Sequence, residues 1–401
     1  MSGAVTETGR RQAVVTAVLL LVGVVALAVM RPRMAGTIGV LAAVIAMIML
    51  HELGHFVMAK RAGMKVTEFF LGFGPRLWSF RRGETEYGVK AIPAGGYVRI
   101  IGMNNVDEVD PADEERTYRA KPYHQRLGVA VAGSAMHFIL AALLLFVVYA
   151  AVGIPEARPV VNQIVKDSPA AESDFHLGDR VVAVNGQAVK TWEDIPRYVQ
   201  SHGENQLVFT IVRGGERLDI SLKPRVVVEG GKQIPRVGIG PEQYLKTRPV
   251  PQAVADTVTD MPKFMWETVK ALGGIFSPSG VSNYTELVTG KGGNNNTRLL
   301  SPVGAARVAG QAVDNGWGAV LMFLFAINVF VGIFNMVPLL PLDGGHVAIA
   351  TYEKIASTVK GRRVQVDVTR LLPITAAVVA VLVVIGLSAL YLDIVRPIAS
   401  P

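Results

Sequence analysis

The sequence has no cysteine and few charged residues. With no cysteine among 401 residues, a disulfide scaffold, a thiol nucleophile and a thiolate metal site are all excluded. A bound metal would therefore need His, Asp or Glu as ligands. Only 18% of the residues are charged and 50% are hydrophobic, a balance that favours a membrane protein. In such a chain the net charge of +8 does not indicate nucleic-acid binding, and we expect no nucleic-acid partner.

Five stretches without Asp, Glu, Lys or Arg are long enough to cross a lipid bilayer, which takes about 20 apolar residues, with roughly 17–25 tolerated. They are Ala13–Met30, Met34–Leu50, Gly128–Gly153, Asn315–Leu342 and Leu371–Leu392. The first follows Arg10 and Arg11 and contains Ala26-Leu27-Ala28, so residues 1–33 form either an extra transmembrane helix or a cleaved signal peptide. The other stretches predict transmembrane helices, which we place at residues 34–58, 128–153, 315–350 and 371–392.

The basic residues predict how the chain crosses the membrane. Lys60–Arg126 contains twelve Lys or Arg residues and Thr351–Arg370 contains five more. Basic residues collect on the cytoplasmic side of membrane proteins. Alternating the spans then places the N-terminus and both of these segments in the cytoplasm, and residues 154–314 and the C-terminus on the opposite side.

Residues 59–127 are interpreted as a cytoplasmic, membrane-associated β-region followed by a loop. Apolar and polar residues alternate between positions 63 and 101, and glycines interrupt the alternation, which predicts short strands. A sheet beside the membrane would have free edges that could pair with an extended peptide. An ordinary small sheet without a ligand fits the pattern equally well.

Residues 157–225 resemble a bacterial PDZ domain. The similarity rests on the run Gly178-Asp179-Arg180-Val181-Val182-Ala183-Val184-Asn185-Gly186 and on a pair of strands, Leu207–Arg213 and Arg217–Leu222. PDZ domains hold a peptide or a C-terminus as an added strand. They can also act as spacers or size filters, and the motif does not separate these roles.

Residues 226–314 follow the PDZ-like segment and contain a helical pattern between Val250 and Phe276. The apolar residues that recur at helical spacing are Val254, Val258, Met261, Met265, Val269 and Leu272. This spacing predicts an amphipathic helix that lies on the sheet or on the membrane surface.

The strongest chemical motif is His51-Glu52-Leu53-Gly54-His55, at the end of the second apolar stretch. On a helix His51 and His55 lie one turn apart on the same face, so both imidazoles can reach one metal ion. Zn²⁺ suits neutral imidazole, and three protein ligands with one water form a catalytic site. Glu52 stands where it can accept a proton from such a water. The alternative, capping histidines beside an incidental acid, is weaker because a carboxylate at the membrane edge is costly without a function.

A third ligand has to come from elsewhere in the chain. His137 lies inside a predicted span, and Asp343 and His346 follow another one. Asp343 is the better candidate, since a carboxylate at the membrane edge indicates function and its negative charge suits Zn²⁺. His346 is the alternative.

Asn335 and Pro338 stand shortly before Asp343, in a segment with a second proline at position 341. Prolines at the end of a span break the helix and free backbone groups, which is tolerated beside a wet cavity. The opened backbone could pair with an unwound substrate, and the Asn335 amide could bind its carbonyl groups. A simple helix end explains each proline alone almost as well.

Taken together, these elements resemble the site-2 proteases, which are intramembrane zinc metalloproteases. The similarity runs from about Met34 to the end of the chain and rests on the His-Glu-x-x-His motif, the Asn-x-x-Pro and Leu-Asp-Gly elements and the PDZ-like segment between them. It is greatest to actinobacterial members with one PDZ domain. The resemblance implies a polytopic α-helical membrane protein with a membrane-associated β-region and an inserted extracytoplasmic PDZ domain. Such a protein would lie in the bacterial inner (plasma) membrane, with its active site near the cytoplasmic face.

The resemblance also implies catalytic roles for individual residues. His51, His55 and Asp343 would bind one Zn²⁺, and Glu52 would be the catalytic acid/base. The usual substrate is a single-span membrane protein such as an anti-sigma factor, which another protease has already trimmed outside the cytoplasm. The activity would thus belong to regulated intramembrane proteolysis in a stress response.

Further residues would contact the substrate if the resemblance holds. Asn335 and Pro338 would help to seat it. Gly72, Phe73 and Gly74 would lie on an edge strand that meets it.

Three features depart from the family pattern. The family core has four spans, so the segment 1–33 is additional or is a signal peptide. Ser134 and His137 stand where Pro and Asn are common, which leaves the role of that span open. Some relatives have two PDZ domains, whereas this chain has one.

Two other functions compete with proteolysis. The main alternative is a catalytically inactive membrane module that captures transmembrane helices, and the complete set of His51, Glu52, His55 and Asp343 argues against it. A metal transporter is less favoured, because one carboxylate-containing site near one face offers no path through the membrane.

Overall fold

The computed structural model describes residues 32–103, 108–229, 232–294 and 298–396. The predicted span or signal peptide at Ala13–Met30 lies outside these residues. The chain divides into two compact units, the first containing Met1–Val148 and Pro251–Pro401 and the second Tyr149–Val250.

Helices dominate the first unit. In chain order they are α1 (Pro32–Arg61), α2 (Tyr123–Val147), α4 (Val250–Ile275), α5 (Pro278–Thr289), α6 (Pro302–Asp314), α7 (Trp317–Asn335), α8 (Asp343–Lys360) and α9 (Leu372–Val395), with α3 (Asp194–His202) belonging to the second unit. Within the described residues, four segments are long and apolar enough to cross a membrane: Ala35–Arg61, Tyr123–Val152, Trp317–Asn335 and Val368–Val395. They correspond in position to the last four apolar stretches of the sequence.

The predicted helix at residues 315–350 is in fact two helices. α7 ends at Asn335 and α8 begins at Asp343, because the prolines between them have no N–H to donate and cannot continue the helix. The connecting backbone folds tightly over the start of α8. A Cβ atom on Gly344 would lie only 2.3 Å from the carbonyl oxygen of Met336, so this turn requires glycine.

The β-region consists of two long strands, β1 (Val66–Arg82) and β2 (Thr85–Ile100). Phe69 pairs with Val98 on one side and with Tyr87 on the other. The strands therefore bend into a sheet of four segments, in the order 76–82, 85–90, 66–71, 96–100. Segment 96–100 is an edge of this sheet.

The second unit is built on one sheet with an apolar core. Its strands are β3 (Ile154–Ile164), β4 (Arg180–Val184), β5 (Gln187–Ala188), β6 (Leu207–Arg213), β7 (Glu216–Leu222) and β10 (Ile239–Lys246), with a separate hairpin of β8 (Arg225–Glu229) and β9 (Lys232–Arg236). The order is β10-β3-β4-β6-β7, and β5 pairs with β4. Apolar side chains that alternate along the strands, among them Val161, Phe209 and Ile211, are completely buried.

The boundary predicted for the PDZ-like segment, residues 157–225, is shorter than this sheet. β10 lies beyond residue 225 and pairs antiparallel with β3, with Lys246 opposite Ile154. The pairing joins residues far apart in sequence, and short-range patterns do not report such contacts.

Only part of the apolar stripe predicted for helix α4 is buried. Met261 and Leu272 are buried, whereas Val254 and Val258 are exposed. The helix packs through a neighbouring face, where the ring of Phe264 lies 5.0 Å from that of Phe325 in α7.

Candidate metal centre

Two histidines of α1 supply the first donors of a buried polar cluster. The helix continues from Pro32 through the motif to Arg61, so His51 and His55 are one turn apart on the same face. Both side chains are buried. Burial of two imidazoles within an apolar helix requires polar partners.

Asp343 brings a third donor from the first residue of α8. The Nε2 atoms of His51 and His55 are 3.2 Å apart, and Oδ2 of Asp343 lies 3.5 Å from the first and 3.3 Å from the second. A tetrahedral Zn²⁺ with bonds of roughly 2.0–2.1 Å separates its ligand atoms by about 3.3 Å. The three atoms therefore have the spacing of three corners of one zinc site.

The hydrogen bonds around these atoms fit a bound cation. Nδ1 of His55 lies 2.7 Å from the carbonyl oxygen of Val129 and donates to it, which leaves the Nε2 lone pair for a metal. Oδ2 of Asp343 is buried and has no hydrogen-bond partner among the described residues. Such a carboxylate oxygen is costly unless it is paired, and a metal ion would satisfy it.

Helix α2 closes one side of the cluster with a glycine. A Cβ atom on Gly133 would lie 2.3 Å from Nε2 of His55 and 2.4 Å from Cε1 of His51. A Cβ atom on Gly54 of α1 would in turn lie 2.6 Å from the carbonyl oxygen of Ala132. The two helices approach this closely only because both positions lack a side chain.

Glu52 contacts the β-region. Its carboxylate is close enough to the backbone N–H of Val98, to His55 and to Asp343 for electrostatic interaction. A Cβ atom on Gly96 would lie 3.1 Å from its Cγ. The edge segment 96–100 of the sheet thus lies beside the residue predicted as acid/base.

The two other histidines considered as ligands lie outside the donor triangle. His346 is on α8, with its ring 6.2 Å from that of Tyr118. His137 is buried, and its ring lies 5.0 Å from that of His51. Among the described residues, the donors close enough for one metal are His51, His55 and Asp343.

The predicted substrate-contacting residues occupy two places. Asn335 is the last residue of α7, and Pro338 is exposed in the break that follows. Gly72, Phe73 and Gly74 form a bend of β1, with φ of +85° at Gly72 and +83° at Gly74. Phe73 is 45% exposed, and the bend lies between the paired segments rather than along a straight edge strand.

Three features of the site were not recognised from sequence. They are the close approach of Gly133, the contact of Glu52 with Val98 and the buried Asn328 beside His137. For Gly133 and Asn328, the indication in the sequence was a glycine or an asparagine inside an otherwise apolar span.

Comparison with known proteins identifies related enzymes. Residues 39–382 match the family model described as Peptidase family M50. The zinc metalloprotease Rip1 of Mycobacterium tuberculosis is 33% identical, with the similarity covering 89% of this chain and 96% of that protein. Rip1 of Mycolicibacterium smegmatis is 32% identical, with the same coverage.

A solved PDZ domain, from the SdrC-like protein of Listeria monocytogenes, aligns with 21% of this chain and 87% of its own chain. The identity is 22% and the TM-score 0.19, a score that carries no weight for the fold. The family match, by contrast, extends over most of the chain and includes all residues of the donor triangle. The chain belongs to peptidase family M50, the family of the site-2 proteases, and is a zinc metalloprotease with Zn²⁺ as its cofactor.

Proposed function

We propose that this protein is an intramembrane protease that hydrolyses peptide bonds in or near the transmembrane segment of single-span membrane proteins. Its substrates are proteins such as anti-sigma factors, after another protease has trimmed them outside the cytoplasm. The observation that carries the proposal is the donor triangle, buried among helices apolar enough to cross a membrane. A peptidase centre in that position acts on chains that enter the bilayer.

In this proposal His51, His55 and Asp343 bind the metal and Glu52 transfers protons. Bound Zn²⁺ would supply a Lewis acid for the scissile carbonyl and lower the pKa of a water toward about 7. Glu52 takes the proton from the attacking water and later gives it to the leaving amine. The contact of Glu52 with the backbone of Val98 holds the carboxylate beside the sheet.

The same contact suggests where the substrate lies. Peptide bonds of a helical substrate are internally hydrogen-bonded, so the substrate has to become extended before it is cut. Segment 96–100 is a sheet edge adjacent to Glu52, and edges accept added strands. Phe73, stacked on Tyr97 with ring centroids 6.0 Å apart, supplies an apolar contact at the bend of Gly72, Phe73 and Gly74.

Asn335 and Pro338 complete this substrate path in the proposal. They flank the break that leads into Asp343. The amide side chain of Asn335 can both donate to the carbonyl groups and accept from the N–H groups of an extended chain.

Contacts between distant segments support the alternating topology. On the proposed cytoplasmic side, Arg126 at the start of α2 forms a 2.6 Å ion pair with Glu353 of α8. On the proposed outer side, Arg298 pairs at 2.7 Å with Asp393 at the end of α9. Segments assigned to one side of the membrane thus contact each other.

The absence of cysteine allows a direct test of this topology. Ser221→Cys in the second unit and Thr358→Cys in α8 each introduce one exposed thiol. In intact cells a membrane-impermeant maleimide should label the first and not the second, and permeabilised cells should show both. Labelling of Thr358→Cys in intact cells would reverse the proposed orientation.

We further propose that the second unit is the PDZ domain of the inner-membrane enzyme, on the extracytoplasmic side. β10 is an edge of its sheet, and a groove of about 510 Å³ lies between α3 and the start of β10. Ile195, Val199 and Ile239 line the groove together with Arg225. An extended peptide, or a C-terminus with an apolar last residue, fits this combination of apolar side chains and one arginine. Binding of such a peptide would let the enzyme select substrates that have already been trimmed.

The decisive experiment compares wild type with Glu52→Gln. Purified full-length proteins are given a single-span membrane protein in two forms, one intact and one shortened on the outer side. We expect wild type to cut the shortened form, and Glu52→Gln to retain Zn²⁺ but cut neither. Glu267→Gln, at an exposed position of α4, is the matched control and should behave as wild type.

Each part of the proposal can fail separately. Cleavage by Glu52→Gln would remove Glu52 as the acid/base. Equal cleavage of both substrate forms would remove the trimming requirement while leaving the protease activity in place.

A further inference from the structure

A buried polar pair, His137 and Asn328, lies beside the metal centre and has no part in the reaction described above. The two side chains are 2% and 0% exposed. Nδ1 of His137 is 2.8 Å from Oδ1 of Asn328, and the His137 ring centroid is 5.0 Å from that of His51. Polar groups in such surroundings are retained when they form a complete hydrogen-bond network.

The contacts of Asn328 determine which ring nitrogen of His137 carries the proton. Nδ2 of Asn328 donates to the carbonyl oxygen of Leu324 at 2.8 Å and contacts Sδ of Met47 at 2.9 Å. The amide nitrogen is thereby committed, and the oxygen is the atom that faces His137. An amide oxygen only accepts, so Nδ1 of His137 carries the proton and Nε2 carries a lone pair.

The protonation of His51 follows from the donor triangle. Its Nε2 faces Asp343 and His55, so a neutral ring that offers this lone pair to a metal carries its proton on Nδ1. Nδ1 is buried and has no hydrogen bond to a side chain among the residues described. Metal-binding histidines almost always donate this second N–H to an acceptor.

Nδ1 of His51 thus lacks a side-chain acceptor for its proton, and Nε2 of His137 has an unused lone pair. We propose that His137 is a positioning residue whose Nε2 accepts the hydrogen bond of His51 Nδ1 in the zinc-loaded protein, directly or through one water. The inference rests on the proposed role of His51 as a ligand. It extends a chain of donors from the metal ligand to Asn328 and the Leu324 carbonyl, which holds the His51 ring in its metal-binding orientation.

The competing acceptor is the carbonyl oxygen of Gly133. The glycine is close, since its Cβ position lies 2.7 Å from Nδ1 of His51. That carbonyl lies close enough to His51 to interact with it. In an α-helix, however, it already accepts the backbone N–H of residue 137, so His51 would have to use the second lone pair of that oxygen. The lone pair of His137 has no such commitment.

Substitution of His137 by amide side chains tests the roles of its two ring nitrogens separately. In His137→Asn the amide nitrogen reaches the position of Nδ1 and can donate to Asn328, but no group stands at the position of Nε2. In His137→Gln the longer side chain places an amide oxygen near the position of Nε2. His137→Leu removes both hydrogen bonds.

The measurement is the Zn²⁺ affinity of the purified full-length protein, by competition with a chelator of known affinity. We expect His137→Asn and His137→Leu to weaken Zn²⁺ binding about 10–100-fold, the usual effect of losing a partner of a ligand. His137→Gln should retain most of the affinity. Thermal unfolding of the zinc-free proteins shows whether each variant folds.

The other patterns overturn the inference. Wild-type affinity in His137→Asn would mean that the Nε2 lone pair is not used. Equal weakening in all three variants would mean that packing of the imidazole, and not its acceptor, matters. His51→Ala distinguishes this from failure of the proposed ligand set, because unchanged Zn²⁺ affinity in His51→Ala would remove His51 as a ligand altogether.

Discussion

Both units of this protein bury apolar side chains, but the first also buries a cluster of neutral polar side chains. The second unit encloses apolar residues such as Val161, Phe209 and Ile211, as expected for a domain in water. The first unit encloses His51, His137 and Asn328. Its last candidate span, Val368–Val395, buries none of its most apolar window.

In the membrane arrangement proposed above, this difference follows from the solvent around each unit. Burial of apolar surface drives folding in water, whereas apolar side chains lose nothing by facing lipid. Polar groups in lipid have to be satisfied within the protein. The interior of the first unit is therefore the place where polar chemistry can be assembled.

The largest expected effect concerns apolar burial. Phe209→Ala should reduce the stability of the second unit by about 3–5 kcal/mol, measured by hydrogen exchange of its peptides in the full-length protein. Leu387→Ala in α9, at a side chain 61% exposed, is the matched control and should leave exchange throughout the chain unchanged. Equal effects of the two substitutions would contradict the comparison between the units.

The second prediction adds one methyl group to the polar interior. Gly133→Ala places a Cβ where the two imidazoles stand. Displacement of catalytic groups by about 1 Å can cost about 10²-fold in rate, so kcat/KM for membrane substrates should fall by this order. Gly39→Ala has no atom within 4 Å of its new Cβ and should retain wild-type kinetics. Full activity of Gly133→Ala would show that the helices can move apart.

The third prediction tests a charge that the second unit does bury. Burial alone would raise the pKa of Asp179, but hydrogen bonds from Arg213 and from the His176 backbone N–H outweigh it and lower the pKa. The pKa of Asp in an unfolded chain is about 3.9. The stabilisation by ionised Asp179 is therefore complete above that pH, and it is lost as the pH falls through the lower pKa of the folded state. Asp179→Asn should remove this acid sensitivity and cost roughly 1–3 kcal/mol at neutral pH.

The check is hydrogen exchange of the second unit as a function of pH. Asp174→Asn, at an exposed position of the same cluster, should retain the acid sensitivity. An unchanged pH profile in Asp179→Asn would assign it to other carboxylates.

Local spacing predicted much of the candidate site. The i, i+4 arrangement of His51 and His55 requires only that the segment be helical, and the structure places both Nε2 atoms together. Asp343 was predicted because a carboxylate at a membrane edge is costly without a function, and the same argument did not extend to neutral Asn328. The resemblance to site-2 proteases, now confirmed at the level of the family, supplied the rest of the predicted set.

Other features could not be predicted from local patterns. The pairing of β10 with β3 extends the second unit past residue 225. The apolar stripe of α4 was divided because a neighbouring face packs on α7. Each depends on contacts between residues distant in the chain.

By itself the sequence determined the apolar spans, the absence of thiol ligands and the types of residue able to bind Zn²⁺, because these depend on composition and on spacing within one helix. Only the tertiary structure decided which donors meet. Gly133 allows α2 to approach the two imidazoles. The break after Asn335 places Asp343 beside both imidazoles. Edge segment 96–100 lies next to Glu52. These outcomes depend on the packing of several helices and a sheet around one point, and no single segment encodes that packing.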